Sequence, residues 1–202
     1  MTLPPAADLG APLPDPTPSP ELLHRLATRR SAPAQALTTP GPDAGQISDL
    51  LTLAARTPDH GKLFPWRFVV LGPVTRADLA ERLTALATRQ GLPAKATAVL
   101  AKLTAAPTTI LVISTAAPGS KPVWEQELSA GAVCMNLEHA ANAMGFSSSW
   151  ITDWYSYDAE ALALFGVRET EKVAGFIHIG TATEPALERV RPDLSALTTT
   201  LP

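Results

Sequence analysis

Residues 55–68 read ARTPDHGKLFPWRF and set Arg56, Asp59, His60, Lys62, Trp66 and Arg67 around two prolines. A loop joining two elements needs turn formers, so this density of donors and aromatic rings points to a metal, an anion or a reacting group. The stretch also reads as a well-capped turn, with Asp59 as the cap and Trp66 in the core. A second concentration lies at TRRS, residues 28–31. Two adjacent arginines offer planar forks that match the oxygens of a phosphate, and Ser31 adds a hydroxyl. Arginines that close a helix also complement its dipole, for about 0.3–1 kcal/mol each, so this spot has a purely structural reading too.

Other chemistries are poorly supplied. Asp59 beside His60 is not a triad, whose members come from separate elements and include a nucleophile. No G-x-G-x-x-G, P-loop or G-x-S-x-G string occurs. His24, His60, His139 and His178 lack the H-x-x-x-H and H-E-x-x-H spacings. Cys134 and Glu138 share a helix face, but two ligands are too few for a closed zinc site. Neither a catalytic triad nor a metal centre is expected.

The elements that must position these side chains follow from periodicity. Ser19-Pro20 is an N-cap and first-turn proline opening a helix with Leu22, Leu23 and Leu26 on one face. QISDLLTLAAR places Ile47, Leu50, Leu51, Ala54 and Ala55 at helical spacing, and Pro58 stops it. WRFVVL (66–71) is a strand ended by Gly72-Pro73. An amphipathic helix follows, closed by Gly91, and then a second helical piece over 93–105. TTILVIS (108–114) is a strand buried on both faces. The longest helix spans 124–146; its stripe of Ala130, Val133, Cys134, Leu137, Ala141 and Met144 is lined with small residues, which suits a central helix or a subunit interface. SSSWI (147–151) is a strand, Asp158 caps a short helix ended by Gly166, and KVAGFIHIGT (172–181) is a final core strand. The order predicts an α+β or mixed α/β layer on a small sheet.

The 202 residues, 46% hydrophobic and 17% charged, suit one globular domain. Residues 1–20, crowded with proline, are expected to form a flexible extension ahead of a single domain over 21–202. A net charge of −3 with no basic run leaves nucleic acid without a footprint. The longest apolar run falls far short of the ~20 residues that cross a bilayer, and no secretory signal is read at the front. One cysteine allows no internal disulfide. A cytoplasmic protein is expected.

Taken in order, RRS, then AARTPDHGKLFPWRF about 25 residues later, then KPVWEQELSAGAVCMNLEHAANAMGF, then GFIHIGT, the chain resembles the small bacterial members of the nitroreductase family of flavoproteins over roughly residues 21–190. The PDH…PWRF and WEQE pieces are specific; RRS alone is not. The resemblance implies an α+β fold with a small central mixed sheet flanked by helices, working as an intertwined homodimer with two FMN molecules at the interface. It implies that Arg29, Arg30 and Ser31 contact the FMN phosphate and ribityl chain, and that Arg56 and His60 reach FMN bound mainly by the partner subunit. The small-residue helix 129–144 is then expected at that interface.

Similar proteins continue after the long helix with glycine-rich sequence, then tryptophan, a polar or basic residue, a hydroxyl residue and glycine. Here the stretch is GFSSSWITDW. Trp150, Ile151 and Thr152 are expected beside the flavin, with Ile151 replacing the polar residue and Asp153 the glycine. An acid near the ring is expected to lower the flavin potential, and the bulky WITDWYSY to narrow the substrate pocket. The implied activity is hydride transfer from NADH or NADPH through FMN to a nitroaromatic, a quinone or an activated alkene, in ping-pong fashion, with no protein side chain required as proton donor. The alternative is a flavin-binding protein with little reductase turnover.

Overall fold

The computed structural model describes residues 3–201. Helix α1 (Pro20–Thr28) starts where the Ser19 hydroxyl accepts from Leu22 N at 3.3 Å, with Pro20 where a missing N–H costs nothing. Helix α2 (Ala44–Ala54) opens on a capping box in which Asp43 and Gln46 bond each other's backbone at 2.8 and 2.9 Å. Strand β2 (Trp66–Leu71) runs to Gly72 and into α3 (Pro73–Arg89), after which Gly91 takes φ 65°, a left-handed turn that glycine adopts without strain. The helical piece expected over 93–105 is two short helices, α4 (Ala94–Ala98) and α5 (Ala101–Ala105).

Strand β3 (Thr108–Ser114) is buried at all seven positions, as its apolar run predicts. Then come α6 (Val123–Ala143), β4 (Ser147–Ile151), α7 (Ala159–Leu164) capped by Asp158, and β5 (Lys172–Ala182). A two-residue strand β1 (Leu37–Thr38) and a tail helix α8 (Leu194–Leu197) complete the order.

Strand β5 is the hub of one five-stranded sheet: β1, β3 and β4 all pair with it, and β2 pairs with β3. Every one of these pairings is antiparallel, where a mixed sheet was expected. Leu71 at the end of β2 lies opposite Thr109 at the start of β3, so the helices between them leave and return at the same end of the sheet and the two strands run in opposite directions.

Side chains alternate across the strands, so the sheet has two apolar faces. Ile110, Val112, Ile177 and Ile179 pack against Leu50 of α2 and the α6 stripe. Leu111, Ile113 and Phe176 pack against Leu79, Leu83 and Leu86 of α3, Leu103 of α5 and Phe165. The result is an α+β sandwich of helices, sheet and helices.

Of the α6 stripe, Ala130, Val133, Cys134, Leu137 and Ala141 are at most 1% exposed against the chain's own sheet, and Met144 is half-buried. The small residues therefore serve close helix–sheet packing inside one chain, as expected for a central helix. Burial pushes the Cys134 thiol up to about 12, with the Glu138 charge adding to the shift. On β5, His178 is fully buried, its Nδ1 2.9 Å from Thr109 Oγ1. Arg76 is buried as well and donates to the carbonyls of Leu71, Leu103, Ala106 and Pro107, tying α3 and α5 to the sheet.

Candidate functional site

The double arginine lies where α1 gives way to extended chain. Arg29 caps the helix with φ −56° and ψ 130°, and three residues on Ala32 N bonds Ser148 O at 3.0 Å, which lays residues 29–32 against the start of β4. Arg29 Nη1 is buried 3.6 Å from Glu138 Oε2 and has no hydrogen-bond partner among the described residues. Glu138 is itself buried and accepts from the Ser148 hydroxyl at 3.1 Å. Arg30 Nε donates to Leu187 O at 3.1 Å, and Ser31 is half-buried beside it. His139, next along α6, is held below its ordinary pKa by burial and then by the Arg29 charge. Sequence reasoning does not place Glu138 in this site; a carboxylate on a buried helical stripe needs a cation or donors, and that signal points to Arg29.

The 55–68 stretch divides its side chains among different tasks. Trp66 is in the core and Asp59 accepts from Leu63 N at 2.7 Å, as in the capped-turn reading. Arg67 forks onto Glu171, Nε to Oε1 at 2.9 Å and Nη2 to Oε2 at 2.6 Å, and adds Gly166 O at 2.6 Å. That bond chiefly holds the Glu171 carboxyl down to about 2. Arg67 is thus spent on architecture. Arg56 is exposed, and its guanidinium makes no hydrogen bond among the described residues.

His60 is held by α6. Its Nδ1 lies 2.6 Å from Glu125 Oε2, while Ser129 Oγ donates to Pro58 O at 2.8 Å and Asn136 Nδ2 to Thr57 Oγ1 at 2.7 Å. At about 100° per residue, positions 125, 129 and 136 fall within an arc of about 40° on the helix. A cleft of about 320 Å³ beside them is lined by Pro58, Asp59, His60, Glu125, Leu128 and Ala132, among others. The last two residues of WEQE are structural: Gln126 binds Ala117 and Lys121 of the preceding loop, and Glu127 pairs with Lys172 at 2.6 Å.

Within one chain His60 does not meet Arg29. Glu138 and Glu125, which mark them on α6, are thirteen residues apart in the sequence, or about 20 Å along the helix axis.

The segment after α6 is spread over both faces of the sheet. Trp150 stands opposite Ile177 on the α6 side, its indole over Gly175 and its Nε1 donating to Ala174 O at 3.0 Å. Ile151 stands opposite Phe176 and packs on the α3 side. Thr152 is exposed and its hydroxyl accepts from Tyr157 at 3.0 Å. Asp153 caps the 3-10 turn Trp154–Ser156 and takes Lys102 Nζ at 3.0 Å. Its charge is compensated within the fold, so the expected effect of a free acid on a flavin ring is not what this residue supplies.

Comparison with known proteins bears on this arrangement. The model of the nitroreductase family matches residues 26–181, more than half of the chain. The Haemophilus influenzae protein named "Putative NAD(P)H nitroreductase" is 34% identical over 174 residues, spanning 85% of this chain and 94% of that one. "Putative NAD(P)H nitroreductase YdjA" of Escherichia coli K12 is 33% identical over 163 residues, 80% of this chain and 88% of that one. Among solved structures, the nitroreductase-like family protein of Bacillus cereus superposes with a TM-score of 0.77 at 16% identity, over 93% of this chain and 99% of that chain. A nitroreductase with bound FMN from Bacteroides fragilis gives 0.68 at 23% identity, over 91% and 100%. At those identities the structures speak for the fold, while the family match and the two sequence relatives speak for descent. The chain belongs to the nitroreductase family.

Proposed function

We propose that the protein is an FMN-dependent oxidoreductase that works as a homodimer. The observation that carries this reading is the buried Arg29 Nη1, which has no hydrogen-bond partner among the described residues and lies next in sequence to Arg30. A buried donor without an acceptor is costly, and a phosphate of about −2 charge supplies acceptor oxygens that a guanidinium fork matches. The donor set therefore fits an FMN phosphate, with Ser31 adding a hydroxyl. The relatives named as NAD(P)H nitroreductases support a nicotinamide donor.

When bound, FMN supplies the redox chemistry: hydride received from NADH or NADPH and passed, in ping-pong order, to an electron-poor acceptor such as a nitroaromatic, a quinone or an activated alkene. The chain's residues bind and orient. Arg29, Arg30 and Ser31 hold the phosphate end. Arg56 and His60 address the cofactor of a second copy, His60 being tied to the far end of α6 from Arg29. Trp150, Ile151 and Thr152 contribute the sheet edge and its backbone rather than one shared side-chain wall. A second copy also has a place to sit. Leu22, Leu23 and Leu26 of α1 are about half or more exposed, and α1 has no buried residue. Trp124 and Leu128 of α6 are exposed one turn apart. A lone thiol with no disulfide to make inside one chain fits a reducing cytoplasm.

The test is to purify the protein, record its absorbance and identify any released cofactor by mass. A yellow protein that NADH or NADPH bleaches anaerobically meets the proposal. A colourless protein that also rejects added FMN ends it, and a yellow one that neither nucleotide bleaches is a flavin binder without turnover.

A further inference from the structure

The loop that carries His60 is strained. Lys62 and Phe64 take φ of 56° and 48°, the left-handed region, with Gly61 at 96° before them. For a bulky residue such as Phe64 that region is strained, and strain of this kind persists only where the surroundings impose it. One face of α6 anchors the loop just before the strained residues, at Thr57, Pro58 and His60, through the bonds from Asn136, Ser129 and Glu125 described above. The first two engage Thr57 and the Pro58 carbonyl and are indifferent to the imidazole. Only Glu125 reaches the ring. Asp59, the other carboxylate of the loop, is occupied with Leu63 N.

A carboxylate oxygen only accepts hydrogen bonds when ionised, so the 2.6 Å contact calls for the proton on His60 Nδ1. Nε2, on the far edge of the ring, has no hydrogen bond among the described residues. The His60 and Glu125 side chains are 55% and 44% exposed. A pair this open adds little to folding, so stability does not explain why the contact is made. Orientation does.

We propose that Glu125 is a positioning residue for the cofactor site: it fixes the His60 ring with Nδ1 protonated and turned toward α6, so that Nε2 is the atom offered outward. The proposal rests on the flavin reading, because the ligand that Nε2 meets is the FMN held by a second copy. It goes beyond that reading by assigning Glu125, 65 residues away in sequence, a task that His60 alone cannot perform.

The experiment uses the full chain as wild type, Glu125→Ala, Glu125→Gln, His60→Ala and the Glu125→Ala/His60→Ala double variant. Nitrogen-15 imidazole spectra of the cofactor-free proteins, with the His60 signals identified by their loss in H60A, read the tautomer. Quenching of FMN fluorescence reads affinity. The wild type is expected to show the Nδ1–H form, and E125A the Nε2–H form. FMN affinity is expected to fall about tenfold in E125A, the lower end of what removing a ligand-orienting partner costs. The amide that replaces the carboxylate in E125Q still offers an oxygen to Nδ1–H, so this variant should restore most of that loss. In the H60A background the E125A change should alter affinity by less than about twofold, since the coupling partner is gone. An Nε2–H tautomer in the wild type overturns the proposal, as does an equal affinity loss from E125A with and without His60. A wild type that binds no FMN sinks the flavin reading separately, and the tautomer spectra then decide alone whether Glu125 orients the ring.

Discussion

Arg29 Nη1 stands 3.6 Å from Glu138 Oε2, beyond hydrogen-bond reach but within ion-pair distance, with the carboxylate side chain only 3% exposed. The two arginines of the motif consequently answer to different needs. Arg29→Ala strips a buried carboxylate of its cation. Losing one partner of a fully buried pair costs about 3–5 kcal/mol; the long contact and the partial exposure of Arg29 reduce this to about 1–3. Arg30→Ala removes a bond to the Leu187 carbonyl at 3.1 Å and should stay within about 0.5 kcal/mol. Both variants should weaken FMN by about ten- to a hundredfold, the worth of a charge-assisted bond. Urea unfolding without cofactor and flavin titration separate the two effects; equal stability loss in both variants contradicts the assignment.

The Arg67–Glu171 fork predicts an acid limb. Glu171 has its folded pKa depressed to about 2, mainly by the Arg67 hydrogen bond, against an unfolded value of about 4.3. Its contribution is present above the unfolded value and is lost as pH falls from there through about 2. With Arg67 30% exposed, Glu171→Gln should cost about 1–3 kcal/mol at pH 7. Urea midpoints at successive pH values should show a flatter acid limb in the variant below about pH 4.3.

His178 acts in a different window. Burial, then the charges of Arg76 and Lys102, lower its pKa to about 3 from 6.5. The unfolded chain takes up this proton first, so stability falls as pH drops below about 6.5 and keeps falling toward about 3, at up to about 1.4 kcal/mol per pH unit. His178→Asn keeps an amide where Nδ1 meets Thr109 and cannot titrate. Between pH 6.5 and 5.5, ahead of the Glu171 limb, the variant should lose a large part of the slope that the wild type shows in calorimetry, the remainder belonging to His139, which burial also lowers.

The exposed leucines of α1 bear on assembly. Leu22→Glu with Leu26→Glu changes side chains that are 54% and 49% exposed, so the fold should be kept within about 1 kcal/mol. Sedimentation should nevertheless find a monomer, and FMN affinity should drop, because α1 runs directly into Arg29. An unchanged oligomeric state removes α1 from the interface.

Much of this fold is legible from local sequence because its elements carry their own punctuation. β2 is bounded by Pro65 and Gly72, β3 is a continuous apolar run, and Ser19, Asp43 and Asp158 cap helices with their side chains. Strand β1 is not legible: two residues acquire strand geometry only by pairing with Thr181 and Ala182. The pairing directions of the sheet likewise depend on how the helices return the chain, which periodicity does not encode. The stripe on α6 is visible in the sequence, but small residues suit a sheet and a partner helix equally well. At the site, arginine forks and a histidine announce themselves by residue type. Glu138 and Glu125 do not, since each gains meaning from a partner far along the chain. Adjacency groups Trp150 with Ile151, whereas neighbours on a strand point to opposite faces.

Cys134 has a practical consequence. The chain's one sulfhydryl is sealed between α6 and the sheet, and its thiolate is suppressed at neutral pH. Alkylating reagents reach it only when the core opens, so its labelling rate is a clock for global unfolding. A cysteine installed anywhere on the surface becomes the sole reactive handle for a dye or a spin probe, with no need to remove the native one first.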